Sequence, residues 1–393
     1  MKVSSFANSM TRLAVSGFIL IPVLHAPSVY AWGATELFKP PVAYATGEGP
    51  YRIAAGDLNR DGKPDLVTAN RFDNSVSVLL GKGDGNFAPN KDFPTGPAPF
   101  GVVVADVNRD GRLDVVTANL GEVWEGNSLV DRRPASVSVL LGKGDGTLKP
   151  QVPYATGEVP EGIAVADVNR DGKLDIVTAN SQEDTVSVLL GKWDGTFRSK
   201  VDYATGTYPW YVVVGDVNRD GKPDLIVSNI TDDTASVLLG QGNGSFLPKV
   251  DYDVGDGAAV VADVNRDGKL DLVADNYDTN TASVLLGKWD GTFRLRETYA
   301  TGSLPIQVTV GDVNRDGKPD LVSSNSADNS ISVLLGKWDG TFRDKVDYPT
   351  GDGPFSVILV DLNRDGKLDA VTTDIGATGH GAYSISVLIN QGN

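Results

Sequence analysis

One feature constrains this chain more than any other: it repeats itself. The segment Asp57-Leu-Asn-Arg-Asp-Gly-Lys-Pro-Asp65 returns, nearly unchanged, from Asp106, Asp167, Asp216, Asp263, Asp312 and Asp361. Successive copies are therefore 49, 61, 49, 47, 49 and 49 residues apart, and seven of them fill the chain from about residue 36 to its end. A unit of that size cannot bury a core of its own, so each copy must stack on its neighbours.

Four short strands can be read within each copy. An apolar stretch such as Gly101-Val-Val-Val-Ala105 precedes the Asp loop (strand A), and Leu66-Val-Thr-Ala-Asn70 follows it (strand B). After a polar turn comes Ser75-Val-Ser-Val-Leu-Leu80 (strand C), whose alternation of Ser with Val is the pattern of a half-buried strand. A Gly-rich turn, Gly81-Lys-Gly-Asp-Gly85, then leads to a more polar strand D from Phe87 to about Phe93. No window keeps a 3.6-residue period, so helices are at most minor. Four-stranded units at this period indicate an all-β, seven-bladed β-propeller with antiparallel blades. The last copy stops just past strand C, at Val387-Leu-Ile-Asn-Gln-Gly-Asn393, whereas Leu37-Phe-Lys-Pro-Pro-Val-Ala-Tyr-Ala-Thr-Gly47 resembles a strand D. The N-terminal strand is therefore expected to complete the last blade and leave no open edge.

The Asp loops carry the clearest chemistry. Position 1 is Asp57, Asp106, Asp167, Asp216, Asp263, Asp312 or Asp361, and position 3 is Asn59, Asn108, Asn169, Asn218, Asn265, Asn314 or Asn363. Position 5 is Asp61, Asp110, Asp171, Asp220, Asp267, Asp316 or Asp365, and position 9 is Asp65, Asp114, Asp175, Asp224, Asp271, Asp320 or Asp369. Position 6 is always Gly. Position 7, which would offer its backbone carbonyl, is Lys63, Arg112, Lys173, Lys222, Lys269, Lys318 or Lys367. Oxygen donors at alternate positions around a Gly turn suit a hard cation, and several carboxylates on a flexible loop favour Ca²⁺ over Mg²⁺. An EF-hand is not expected, because position 12 is Thr68, Thr117, Thr178 or Val227 instead of Glu and the flanks are strands. Three carboxylates within nine residues repel one another unless a cation neutralises them. About seven divalent ions would bring the formal charge of −16 to about −2. The arginines at position 4, Arg60 through Arg364, are expected to offset these carboxylates.

Strand A, the Asp loop, strand B and the Gly-rich turn closing on Phe (Gly191-Lys-Trp-Asp-Gly-Thr-Phe197) together resemble the FG-GAP, or VCBS, repeat of integrin α-chain propellers, secreted bacterial proteins and some fungal lectins. The resemblance covers the chain beyond its N-terminus. It implies a seven-bladed propeller with Ca²⁺ in the loops between the first two strands of each blade. The Gly-rich turn departs from the pattern as Gly240-Gln-Gly-Asn-Gly-Ser-Phe246, and once with Leu148 in place of Phe.

The N-terminus reads as a signal peptide spanning residues 1–31. Lys2 and Arg12 precede an apolar run from Leu13 to Leu24, too short for a membrane span, and Val29-Tyr30-Ala31 supplies small residues for cleavage. Residues 32–393 would then form one propeller domain, secreted or held in the periplasm or at the cell surface. The absence of cysteine removes disulfides, thiol nucleophiles and Cys-ligated zinc. After cleavage a single histidine, His380, remains, which argues against Ser-His-Asp chemistry. The acidic balance argues against nucleic acid or an anionic membrane as partner.

Successive loops of an antiparallel blade alternate between two faces. The Asp loops (A to B) thus share one face with the Gly-rich turns (C to D). The B–C and D–A loops share the other, and there the repeat is broken. The B–C loop from Leu120 to Ala135 is 12 residues longer than Arg71 to Asn74, and contains Trp124, Asp131, Arg132 and Arg133; the seventh, Ile375 to Tyr383, carries His380. Six positions before the first Asp of successive loops stand Tyr51, Phe100, Glu161, Trp210, Gly257, Ile306 and Phe355. Tyr51, Phe100, Trp124, Trp210, Phe355 and His380 are therefore candidates for a ligand face, the alternative being that the aromatics plug a central channel. On the Asp-loop face, Trp193, Trp289 and Trp338 could stack on sugars or lie over the neighbouring loops. These observations favour a binding module for a protein or glycan, with no catalysis, no nucleic acid and no membrane insertion. The alternatives are a Ca²⁺-dependent polysaccharide lyase or dehydratase, and a purely structural part of a cell envelope.

Overall fold

A computed structural model describes residues 37–125, 128–376 and 383–392, and the expected leader, residues 1–31, lies outside them. Seven four-stranded antiparallel sheets are arranged as the blades of a propeller, with strands in the order A-B-C-D from the axis outward. In blade 1 these are Pro50–Gly56, Asp65–Asn70, Ser75–Leu79 and Lys91–Pro94. No helix is present among the described residues, and none is long and apolar enough to cross a membrane. The seventh blade takes its outer strand from the other end of the chain. Val42–Ala45 pairs antiparallel with Ser384–Leu388, in register Val42 with Val387 and Ala45 with Ser384.

Valine, leucine and isoleucine on strands A to C form seven apolar clusters, one between each pair of neighbouring blades. One of these joins Ile53, Leu66 and Leu79 of blade 1 to Val371 and Ile385 of blade 7, closing the ring. An eighth cluster lies on the axis.

Strand C departs from the half-buried expectation: in blade 1 it is buried on both faces. Its valines enter one interface. Its central serine enters a polar seam, where the Ser77 hydroxyl receives hydrogen bonds from Asn70 Nδ2 (2.9 Å) and from the Gly47 N–H of the preceding connection (3.0 Å), and donates to Asp92 Oδ1 (2.6 Å). Ser187, Ser236 and Ser332 repeat this hub. A buried hydroxyl is tolerated because it is fully partnered, and here one atom ties three strands to the previous blade.

Blade 5 breaks the pattern. Asp275 stands where Ala69, Ala118 and Ala179 stand elsewhere, buried against blade 6. Ser323 Oγ donates to its Oδ2 (3.0 Å), Oδ1 has no partner among the described residues, and burial pushes the carboxyl well above the usual carboxylate range.

Candidate functional site

Each Asp loop leaves strand A and turns within nine residues into strand B. In the first, Asp57 accepts the N–H groups of Asp61 (3.1 Å) and Gly62 (2.8 Å), and Asn59 Oδ1 accepts Asp61 N–H (3.0 Å). Gly62 takes φ of 80° and Arg60 φ of 63°, and all seven position-4 arginines share this left-handed backbone. Asp65 is buried, and its two oxygens accept Leu58 N–H (2.9 Å) and Gly81 N–H (2.8 Å). Gly81 opens the C–D turn, so position 9 fastens the two loops of this face together. A side chain at Gly81 would put Cβ 2.1 Å from the Pro64 carbonyl oxygen, which is why glycine stands there.

Burial pushes the position-9 carboxyl up in every loop, to about 6 at Asp114, Asp175, Asp224, Asp271, Asp320 and Asp369, and the neighbouring charges at positions 1 and 5 raise it further. Among the described residues, no three His, Cys, Asp or Glu side chains converge as a preformed metal group. The donor set nevertheless fits a hard cation in its chemistry: every donor is oxygen, and a carboxylate oxygen that takes one N–H keeps a second lone pair.

The cation that meets these carboxylates sits at position 7, contrary to the expectation for position 4. Lys63 Nζ lies 3.1 Å from Asp61 Oδ2, and the equivalent pair recurs in all seven loops, with Arg112 and Asp110 in the second. Three position-4 arginines reach instead across the blade junction to a tryptophan. Arg109 lies 4.8 Å from the Trp193 ring centroid, Arg219 4.7 Å from Trp289, and Arg266 5.4 Å from Trp338. The position-7 lysine of each tryptophan's own blade stands near the same ring, at 5.3, 5.4 and 5.7 Å respectively. Each tryptophan thus lies over a neighbouring loop, held by two cations. All three remain open to solvent, at 55%, 58% and 56% exposure.

The opposite face corrects the sequence-based expectation. Tyr51, Phe100, Trp210 and Phe355 are buried together on the axis, where they plug the channel and offer no surface to a ligand. Tyr51 and Phe355 meet edge-to-face at 4.8 Å, and Phe100 and Trp210 pack on the same Phe355 ring at 5.7 and 6.1 Å. These residues occupy the same position in their blades, and sevenfold closure points them at one axis. A backbone bulge in strand A marks that position in six blades. The Arg52 guanidinium is buried among the rings, 4.9 Å from Trp210 and 4.8 Å from Tyr211, and donates to Gln307 Oε1 (2.6 Å). Among the described residues its other terminal nitrogen, Nη2, has no partner. His380 and the Trp124 side chain lie outside the described residues.

Glu161 sits in the same ring of positions. Its Oε1 accepts Ser181 Oγ–H (2.9 Å) and Tyr208 O–H (3.1 Å), and burial pushes the carboxyl up to about 7. The contribution of this group to stability is fully present below about 4.5, its unfolded value, and is lost as pH rises through about 7. Glu161→Gln keeps an oxygen acceptor for both hydroxyls and removes the charge. The variant is therefore expected to gain over the parent between pH 5 and pH 8, by up to about 3 kcal/mol, as paired thermal melts would show. Equal differences at both pH values would refute it.

The long B–C loop of blade 2 forms a hairpin, Glu122–Glu125 with Ser128–Arg132. Glu122 staples its base to blade 1 through Arg71 (2.5 Å) and also meets Arg132 (3.5 Å).

These observations define the class: a seven-bladed β-propeller with an oxygen-rich loop between the first two strands of each blade. The chain belongs to the FG-GAP repeat family. The FG-GAP-like repeat matches residues 57–117, 128–178, 167–227, 222–274, 263–323 and 312–372. Comparison with curated protein sequences finds no match. Among solved structures, a lectin of Agrocybe aegerita described as recognising non-reducing terminal N-acetylglucosamine is 18% identical, with 87% of this chain and 86% of that one covered and a TM-score of 0.53. BBS1N in complex with ARL6DN is 10% identical, covering 91% and 98%, with a TM-score of 0.61. Virginiamycin B lyase from Staphylococcus aureus is 15% identical, covering 89% and 99%, with a TM-score of 0.56. At such identities the likeness shows the fold alone, and the propeller serves binding proteins and enzymes alike.

Proposed function

We propose that this protein is a secreted, calcium-stabilised recognition module, without catalysis of its own, that binds a glycan or a protein through its Asp-loop face. The observation that carries this reading is the set of three tryptophans, each more than half exposed and each held by an arginine and a lysine at an equivalent place in its blade. A rigid indole with one open face is an anchor for the C–H face of a sugar or for an apolar side chain, and repetition around a ring adds avidity. The sugar named for the Agrocybe aegerita lectin makes glycans the first ligands to try.

Oxygens of positions 1, 3, 5 and 9 and the carbonyl of position 7 would hold the ion. Bound there, Ca²⁺ would neutralise the loop carboxylates and fix the ends of strands A and B. The residues themselves already brace the loop through the Lys63–Asp61 pair and the hydrogen bonds of Asp57 and Asp65. Support for a non-catalytic role comes from Glu161, the carboxyl of the axial ring, which is itself buried.

A glycan array probed with and without Ca²⁺ tests the reading. Binding by the parent is expected to fall about tenfold or more with each of Trp193→Ala, Trp289→Ala and Trp338→Ala, the loss typical of an aromatic anchor. Retention of full binding by the triple variant would sink it. Turnover of a polysaccharide that His380→Ala abolishes would favour the lyase alternative.

A further inference from the structure

A cavity of about 380 Å³ lies on the face opposite the tryptophans, beneath the hairpin of blade 2. Its wall combines Asn74, the connection Thr95 to Pro97, Val123 and Arg133 at the two sides of the hairpin, and Gln151. The volume falls within the range of roughly 300–1,000 Å³ typical of small-ligand sites.

The cavity is held rigid from three directions. Asn74 Oδ1 accepts Ala98 N–H (2.8 Å) and the Asn74 carbonyl accepts Thr95 N–H (2.9 Å). Gly121 N–H donates to the Pro97 carbonyl (3.1 Å), and Arg133 N–H donates to the Gly121 carbonyl (2.6 Å), which pins the hairpin base on the connection between blades 1 and 2. Such bracing removes much of the ordering cost of binding.

The polar groups left over define the ligand. Among the described residues no donor reaches the buried Gln151 Oε1, an uncompensated state that costs free energy until something donates to it. With its oxygen committed to Ala98, the Asn74 amide has its N–H groups to offer. Arg133 is exposed at the rim, and among the described residues its guanidinium makes no ion pair. Val123 and Pro97 supply an apolar wall. A ligand that satisfies all four elements carries a carboxylate for Arg133, a hydroxyl donor for Gln151, an acceptor for Asn74 and a C–H face for the wall. We infer that this cavity binds a uronic acid, free or as a residue of an acidic polysaccharide. It is independent of the tryptophan face. Among the described residues no other blade has the hairpin.

Isothermal titration of the full chain in Ca²⁺-containing buffer with glucuronate, galacturonate, glucose and galactose tests the inference. A uronate is expected to bind about tenfold or more tightly than its neutral hexose, the discrimination given by one charge-assisted hydrogen bond. Arg133→Gln is expected to erase that preference and leave the melting temperature unchanged, since the side chain is exposed. Gln151→Leu is expected to weaken uronate and hexose alike by about tenfold. The triple tryptophan variant should bind uronate like the parent, so loss on the glycan array and loss here report on different faces. Equal affinity for uronate and hexose, preference for the neutral sugar, absence of uronate binding, or uronate binding unaltered by Arg133→Gln would each overturn the assignment. So would stronger binding of acetylated dipeptides, whose terminal carboxylate could also engage Arg133.

Discussion

Removing Ca²⁺ with excess chelator is expected to lower the melting temperature by about 10 °C or more, and adding it back should restore the original transition. The reason is multiplicity. An ion bound only by the folded state at ten times its dissociation constant contributes about 1.4 kcal/mol, and seven independent loops contribute about 10 kcal/mol together. Electrostatics within each loop points the same way, because the buried position-9 carboxyl is raised further by its acidic neighbours at positions 1 and 5. In the chelated protein, added sodium chloride should recover part of the loss by screening that repulsion. Asp57→Ala, which removes one loop of seven, should cost only about a seventh of the whole effect. The competing possibility is that the position-7 lysine alone neutralises the loop, as the Lys63–Asp61 and Lys222–Asp220 pairs suggest it could. Coincident melts with and without chelator, together with a metal analysis near zero, would decide for the lysine and against Ca²⁺.

A second large loss is expected on deleting residues 37–47. This segment provides the outer strand of the seventh blade and carries one buried anchor, Phe38, and one half-buried anchor, Tyr44. Phe38 packs between blades 6 and 7 and meets Tyr348 edge-to-face at 5.3 Å. Tyr44 meets Phe87 of blade 1 at 5.4 Å, and its hydroxyl donates to Asn86 Oδ1 (2.9 Å). Losing Phe38 alone should cost about 3–5 kcal/mol, and Phe38→Ala isolates that share. The deletion also bares the edge of Ser384–Leu388, so association through that edge should appear in size-exclusion profiles. A synthetic peptide of residues 37–47 should reverse both effects. A truncated chain that melts with the parent and stays equally monodisperse would show that closure contributes nothing.

Much of the architecture was readable because the repeat writes the same local instructions seven times. Apolar stretches gave strands A and B and the Ser/Val alternation gave strand C, the Asp-x-Asn-x-Asp-Gly spacing gave the turn between A and B, and the resemblance of Leu37–Gly47 to a strand D gave the closure of the ring. The burial of strand C was not readable from its alternation alone. Ser and Val at period two describe a strand with two different faces, but in a propeller both are covered by neighbouring blades, so the serine becomes the buried hub seen at Ser77. Three position-4 arginines differ from the sequence expectation for a related reason. The nearest carboxylates in sequence were their obvious partners, yet the backbone at Arg109, Arg219 and Arg266 turns left-handed and those side chains cross to the tryptophan of the next blade.

Sequence alone therefore determined the blade, the number of blades, the oxygen-lined loop and the two faces, because each is encoded within one period or by counting periods. Only the tertiary structure decided which aromatics are free. Tyr51, Phe100, Trp210 and Phe355 occupy the kind of loop-proximal position that usually presents side chains to solvent, but ring closure brings strands far apart in the chain to one axis. Arg52 and Gln307, 255 residues apart, hydrogen-bond there. Trp193, Trp289 and Trp338 lie on turns away from the axis, where no opposing blade can cover them, and so they remain exposed.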